Sequence, residues 1–600
     1  MDPLPAYHEL NKDVAMLVAP YLDTSDLYSG CLVYSYFNET FGDYLWANPF
    51  RDLANRAKPC GLVSKFFFAS NRLDSKILKR VRILDMRALH EIRRDRAHTN
   101  DCIIFGTYLK PEWFFKFFKN FPNLNCILLA PTCSEDYGIF PGADLPDKYN
   151  AIPQSEFLSA SGCTTFDYSL VLRQNITKYL IYLDASDTVR GPNWGASFTI
   201  ENLPNLRILK LRRLRLTDTM LPPIVTNSRR QIWSLDLRDN LLTDNTINPL
   251  LRSCFLERFP DIEHGPLRAT DERLFEHPPI YREANEGADP PPTTMTTLRP
   301  DFINRVECST PGGHALNILE RKNNIEDNLL MVTGLTHLYI SNNKFTALGP
   351  QNLLGQTNSL QVLDAGSNRT SLAVVAGACV DVYAQEHTIR FLSRKWQPRL
   401  EILRIHHSIV TRHPSVISQS HKYDRKEAIS NLKIEKTCQT ELENQGPSFD
   451  PLDNTRLRTL TLTSIPRKST QELFLALKYF IVRLAAQEVT IHDARENVKS
   501  RRAPILYPGI RKLTLEFLPE EHVVRPSDSV TGHGDADGYY EELARDFSFL
   551  NYNSIRAPTR SQQEEIGTVP TVDIVEELRE WRKIEVRHWS GELKIKLFSN

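Results

Sequence analysis

The apolar positions of this chain return to one phrase, apolar-x-x-apolar-x-apolar, from near residue 81 to near residue 518. Leu206-Arg-Ile-Leu209-Lys-Leu211, Ile232-Trp-Ser-Leu235-Asp-Leu237 and Leu335-Thr-His-Leu338-Tyr-Ile340 are its clearest copies. Leu360-Gln-Val-Leu363, Leu400-Glu-Ile-Leu403-Arg-Ile405, Leu457-Arg-Thr-Leu460-Thr-Leu462 and Ile510-Arg-Lys-Leu513-Thr-Leu515 follow, and Val81 to Met86 and Leu124 to Leu129 are weaker early copies. Leu180, Leu206 and Ile232 stand 26 residues apart, and Leu335 and Leu360 stand 25 apart. A phrase repeated at a fixed period predicts a solenoid, whose units bury their apolar faces only against one another. The last two apolar residues alternate as a half-buried strand requires, so Leu209 and Leu211 point inward while Ile208, Lys210 and Arg212 point outward.

The segments between strands agree with this register. Leu216-Thr-Asp218 and Leu242-Thr-Asp244 lie 26 residues apart, each ahead of a predicted helix, and their Thr and Asp suit N-caps. Asn240, Asn343 and Asn368 follow the strands at one position, where an amide side chain can bond the backbone of the departing turn. This pattern resembles a leucine-rich repeat, and its length with a helical return resembles the ribonuclease-inhibitor-like class. The expected fold is therefore α/β, a curved parallel sheet with helical returns over residues 81–600, preceded by a small all-α unit. Composition marks three insertions, about 257–330, 411–455 and 519–572, of which the first, proline-rich, reads as disordered or loosely draped and the second is polar. The alternating tail Ile584 to Leu597 reads as a hairpin or a last strand pair.

The N-terminus has a different rhythm. Leu10, Val14, Leu17, Val18 and Leu22 recur at helical spacing, Asp23-Thr-Ser-Asp26 is a capped turn, and Leu27 to Phe41 continues as a second helical pattern. Residues 1–52 form this unit and 53–80 read as linker helices. Leu10, Tyr21-Leu22, Asp26-Leu27, Val33 with Phe37, and Leu45-Trp46 resemble the landmarks of an F-box. Asn11, where that family usually carries Pro, Phe37 in place of the commoner Trp, and Pro20 inside the first helix depart from it. The irregular repeats resemble those of fungal F-box proteins with leucine-rich repeats.

The resemblance implies a non-catalytic substrate-recognition subunit of a Skp–cullin–F-box ubiquitin ligase. Its adaptor contact would be Leu10, Val14, Leu17, Val18, Leu22, Leu27, Val33 and Phe37, binding the Skp adaptor and through it a cullin-RING ligase. A protein substrate, phosphorylated or not, is expected on the outward strand positions, with Lys210, Arg212, Asp236, Arg238, His337, Tyr339 and Arg404 as the candidates. Arg212, Arg238 and Arg404 form a candidate phosphate-reading cluster. A plain repeat scaffold or inhibitor, whose N-terminal helices only cap the solenoid, is the alternative. A Ran-type GTPase activator is less favoured, because that family ends in an acidic tail and this sequence ends around Lys594 and Lys596.

Charge and chemistry narrow the remainder. Lys plus Arg and Asp plus Glu number 73 each, which argues against nucleic acid or a membrane as partner. No leader is read at Met1 to His8, and ten scattered cysteines suit a reducing compartment, so the expected location is cytoplasmic, nuclear or both. Phosphate-loop, nucleophile-elbow and zinc-protease motifs are missing, and the sequence is read as carrying neither cofactor nor metal. The Asp535-Ala-Asp537-Gly538 run lacks the Glu a calcium loop needs, Ala544 standing there when His533 is position one. His406-His407 with His413 reads as packed or solvated histidine, since neighbours on a strand face opposite ways.

Overall fold

A computed structural model describes residues 12–53, 59–87, 120–129, 156–163, 178–188, 198–199, 201–227, 231–255, 334–366, 374–375, 378–379, 386–394, 396–411, 449–497, 507–518, 572–584 and 589–597. Leu10, Asn368, His413, the run at 533–538 and nearly all of the three predicted insertions lie outside these residues.

Every copy of the apolar phrase becomes a strand of one parallel sheet. Its strands are β1 (Ile83–Asp85), β2 (Cys126–Leu128), β3 (Phe157–Ser159), β4 (Tyr182–Asp184), β5 (Ile208–Lys210), β6 (Ser234–Asp236), β7 (His337–Tyr339) and β8 (Val362–Asp364). After a short antiparallel pair, β9 (Val374–Val375) with β10 (Ala378–Cys379), come β11 (Ile402–His406) and β12 (Thr459–Ile465). β14 (Lys512–Phe517) and β16 (Glu592–Leu597) end the sheet, while β13 (Lys468–Ser469) pairs aside with β15 (Val572–Asp573). The 12 strands of the main sheet are adjacent in chain order, as a solenoid-like α/β fold requires.

The register is set by one row of leucine-type residues. Leu84, Ile127, Leu158, Leu183, Leu209, Leu235, Leu338, Leu363, Leu403, Leu460, Leu513 and Leu593 are paired strand to strand. All except Leu593, which packs at its margin, are buried in a single core. A one-residue slip would turn this row to the other face, so the pairing is strongly specified.

Helices return behind the sheet. Those of the N-terminal unit are α1 (Lys12–Val18), α2 (Thr24–Cys31), α3 (Ser35–Ala47), α4 (Pro59–Ser70) and α5 (Ser75–Leu78). The returns are α6 (Leu221–Asn227), α7 (Ile247–Cys254), α8 (Leu348–Gln356), α9 (Glu386–Leu392), α10 (Ser408–Thr411), α11 (Gln471–Asn497) and α12 (Ile574–Ile584). α11 has 27 residues, far more than the other returns.

Buried amides tie consecutive repeats together, as the asparagine positions predict. Asn240 Oδ1 accepts from the backbone N–H groups of Leu214 and Leu216, both at 3.0 Å, and its Nδ2 donates to the carbonyls of Leu211 and Leu237, both at 2.8 Å. Asn343 repeats the arrangement one strand later, donating to Leu237 and Ile340 and accepting from Leu242. The residue before each amide, Asp239 or Asn342, takes a left-handed backbone, as do Asp187 and Arg213 at the same place in earlier repeats. Asp and Asn tolerate that conformation better than most residues.

Several expectations are corrected. Of the Thr-Asp pairs, Thr243 caps the helical turn after it, accepting from Asn245 N, but Asp218 and Asp244 staple the next repeat instead of capping their own helices. Asp218 accepts from Thr243 N at 2.8 Å and Thr246 Oγ1 at 2.5 Å, and Asp244 accepts from Thr346 N at 3.0 Å. The predicted helix from Leu27 to Phe41 is two helices, broken at 32–34, because Asp23 starts α2 by accepting from Asp26 N and Tyr34 begins a new turn. In the stretch 53–80, read as linker helices, α4 and α5 do form, and Leu53, Val63 and Phe67 join the main core with Phe50 while Arg82 N donates to Ala47 O. Residues 449–455, assigned to an insertion, carry buried Phe449 and Asn454. Among the described residues the tail contributes one strand, β16, which follows α12 and adds in parallel to β14. The strand of the main sheet that the sequence pattern misses is β3, which lacks the leading leucine of the phrase.

Replacing Asn240 with Ala orphans several buried backbone groups at once, so a loss of about 3 kcal/mol is expected. Replacing exposed Arg215 with Ala should cost under about 1 kcal/mol. Urea denaturation of the two variants measures the difference.

Candidate functional site

Two surfaces carry the residues singled out from sequence. The first is the N-terminal helical unit. Ala15, Ala19, Leu27 and Phe41 form a small core of their own, with Leu22, Cys31, Tyr36, Phe37, Tyr44 and Leu45 packed around it. Gly30 lets α2 sit on the Phe41 ring, since a Cβ there would lie 2.5 Å from Phe41 Cδ2. Arg80 joins this unit to the first repeat through a 2.9 Å ion pair with Asp43.

This packing divides the expected contact residues. Leu27 is fully buried, which corrects its assignment to a surface, and Leu22 and Phe37 are partly withdrawn into the same core. Val14, Leu17, Val18 and Val33 stand outside, Leu17 with 69% and Val33 with 66% of its surface exposed. Sequence reasoning missed their companions: Met16, Tyr21, Tyr28, Leu32 and Tyr34 are exposed as well, Tyr21 at 80% and Leu32 at 71%. Their signal was present as apolar residues out of phase with the buried stripe. Scattered exposed apolar residues are ordinary, but so many on helices α1 and α2 and the turn after them make a patch of the kind that binds protein.

The second surface is the sheet face opposite the leucine row. Along its first half one outward row is apolar: Ile83, Cys126, Phe157, Tyr182 and Ile208 pack with Leu128 and Trp233 into a second buried cluster, beside the polar outward residues Asp85, Ser159, Asp184 and Lys210, of which Asp85 takes Arg87 Nη2 at 2.7 Å. Ile208 therefore points away from the main core yet is not solvated. Burial holds the Cys126 thiol far above its ordinary value, so it behaves as a small apolar residue. Lys210 is drawn to this half, its Nζ 5.4 Å from the centre of the Tyr182 ring.

From β5 to β16 the same face becomes a ladder of paired charge. Asp236 accepts from Arg238 Nε at 2.9 Å and Nη2 at 2.6 Å, and Arg212 Nε stands 3.9 Å from its Oδ2. Arg212 Nη2 also reaches Asp239 at 3.5 Å. Arg238 Nη1 lies 3.9 Å from Asp364, which takes Arg404 Nη1 at 2.8 Å. Arg404 then grips Glu516 Oε2 through Nε at 3.0 Å and Nη2 at 2.7 Å, and Lys596 Nζ meets Glu516 Oε1 at 3.2 Å. Arg238 also lies over the Tyr339 ring at 5.1 Å. Burial alone would lower the Arg238 and Arg404 pKa values, but the carboxylates outweigh it and hold both above the ordinary arginine value.

The structure thus brings Arg212, Arg238 and Arg404 into one row but turns them onto the sheet's own carboxylates, correcting their reading as an open phosphate cluster. Asp236 stands between Arg212 and Arg238 and offsets the repulsion of the two cations. Asp236 and His337 are themselves almost fully buried, which corrects their assignment as contact residues. Lys210, Arg212, Arg238, Tyr339 and Arg404 keep partial exposure.

His406 and His407 do not face opposite ways: their rings stack at 4.5 Å, because His407 lies just beyond the end of β11. Burial pushes the His406 pKa down to about 4. Among the described residues, no group of three or more His, Cys, Asp or Glu is placed to hold a metal ion. No described helix is long and apolar enough to cross a membrane. No family model matches this chain, and no curated protein matches it either.

Two outcomes follow. Asp236→Asn strips the countercharge from two half-buried arginines, so a destabilisation of about 1–3 kcal/mol is expected by urea denaturation. His406 takes a proton in the unfolded chain near its ordinary value of 6.5 but in the folded chain only near 4. Its contribution is therefore intact above pH 6.5 and is lost as pH falls toward 4. His406→Gln should flatten the stability profile across that window, and an unchanged slope would assign the acid sensitivity to other groups.

Proposed function

We propose that this chain is a substrate-recognition subunit of a cullin-RING ubiquitin ligase, an F-box unit followed by a leucine-rich-repeat receptor domain. The observation that carries the reading is the exposed apolar patch on α1, α2 and the turn before α3. It belongs to a unit with its own small core and is turned away from the repeat core, which suits capture by a partner's groove. Val14, Leu17, Val18 and Val33 would touch the Skp adaptor, together with Met16, Tyr21, Tyr28 and Leu32. Leu27, with Leu22 and Phe37, would support them from beneath.

A protein substrate would meet the half-charged face, where Lys210, Arg212, Arg238, Tyr339 and Arg404 remain partly open. Because the arginines are already paired, recognition there favours a polar partner of mixed charge that exchanges ion pairs over a bare phosphate. The chain would act by position: holding the substrate near the ligase's charged enzyme raises the local concentration of its lysines.

The second reading, a repeat scaffold capped by its N-terminal helices, is favoured by Phe50, Leu53, Val63 and Phe67, which seal the first repeat. The two readings part at Leu17 and Val33, which a cap alone would not need. Co-expression with the Skp adaptor followed by affinity capture tests this. Leu17→Asp with Val33→Asp should reduce adaptor recovery at least about tenfold, the effect of taking one large apolar side chain out of an interface, while thermal unfolding stays unchanged. Full recovery with the double variant would favour the cap.

A further inference from the structure

α11 is apolar on two opposite faces. Leu473, Leu477, Leu484 and Ile491 are buried against the repeats. On the other side Tyr479, Val482, Ala486 and Val489 form an exposed row, with Val489 at 58% and Leu475 partly buried at its start. Their spacing, four, three, four and three residues, is the seam of a two-helix pair. An ordinary surface helix carries charge on this face. Here charge is displaced to the flanks: Arg483 is ion-paired with Asp450 and lies over the Tyr479 ring, and Lys478 lies over the Trp581 ring.

We propose that this seam pairs with α11 of a second copy of the chain, antiparallel, about a two-fold axis near residue 484. The seam is its own complement in that arrangement. Tyr479 meets Val489 of the other copy, Val482 meets Ala486, and Leu475 meets the aliphatic part of Asp493. Each contact sets a larger side chain against a smaller one, and the axis repeats every contact twice, as an isologous interface demands. Lys478 comes beside Asp493 of the other copy. A parallel pair would instead set Tyr479 on Tyr479 and Asp493 on Asp493. Glu472 and Glu496 come together at both ends, where like charges weaken the pair and limit the seam to the apolar row between them. The pair spans about 27 Å of helix, and its area falls below the roughly 1,200 Å² of a stable interface, so the dimer depends on concentration. The patch on α1 and α2 takes no part in it, so this inference does not rest on the ligase reading.

Sedimentation equilibrium of the full chain tests it. The wild type should pass from one to two chains across the micromolar range. Val482→Lys alone, or Ala486→Glu alone, should weaken self-association at least about tenfold. Each site is exposed and lies on a long helix, so folding should survive, which circular dichroism checks. Val482→Lys and Ala486→Glu together set an ammonium group of one copy opposite a carboxylate of the other on both sides of the axis, and association should return toward the wild-type level. A wild type that stays monomeric overturns the proposal. So does a dimer indifferent to the single changes, and so does failure of the double variant to recover.

Discussion

Everything in this molecule depends on the lateral pairing of strands too short to stand alone. Eight strands of the sheet have three residues. Such a strand has neither the hydrogen bonds nor the apolar area to hold its conformation. It is held because the same leucine-type position recurs in its neighbours and all share one core. Coupling between adjacent repeats is then the main source of stability, and the weakest interface limits the whole. Asn240 and Asn343 guard two of those interfaces by satisfying backbone groups that no strand partner reaches.

The ends of such an array need separate solutions, and they differ. At β1 the exposed core is covered by Phe50, Leu53, Val63 and Phe67. At β16 no later strand follows among the described residues, and the edge is instead charged: Glu592, Lys594 and Lys596 alternate along it, with Lys512 and Glu516 on the neighbouring strand answering them. Charged edge residues resist the addition of a foreign strand. Two chemistries thus bound one core, one apolar and covered, the other ionic and open. The apolar end also gives the first helices a firm base while leaving their outer face unused by the fold.

Much of the architecture was legible because it is periodic. The leucine spacing locates nearly all the main strands and their register, and the asparagines report the turn that follows. β3 escaped because a phrase without its first leucine looks like any short apolar run. The Thr-Asp pairs were visible as a period but not as staples, since a side chain that bonds the next repeat leaves the same sequence trace as one that bonds its own helix. Burial on the outward face was less legible still. Ile208 and Asp236 both lie on the outward face of neighbouring strands, yet one joins an apolar cluster and the other a charge ladder. The alternation that assigns them outward carries no information on what the adjacent repeats will supply. Leu27 shows the same limit at smaller scale: the family resemblance grouped it with Leu17 as a contact residue, but the α2–α3 crossing at Gly30 buries it against Phe41.

The charge ladder constrains how this face can recognise anything. Asp236, Asp364 and Glu516 are nearly dry, so a ligand cannot simply remove their arginines without leaving buried carboxylates unpaired. A partner that binds here must replace each ion pair that it opens, which makes the order of charges along the ladder a filter. A partner with the wrong order is penalised twice, once for its own desolvated charge and once for the sheet's. Specificity on such a surface comes more from rejecting wrong sequences than from attracting the right one. The apolar cluster of Ile83, Cys126, Leu128, Phe157, Tyr182, Ile208 and Trp233 offers no such filter, because its side chains are already packed against one another. If this face takes part in recognition, selection by order of charge would rest on the ladder that runs from Arg212 through Asp236, Arg238, Asp364, Arg404 and Glu516 to Lys596.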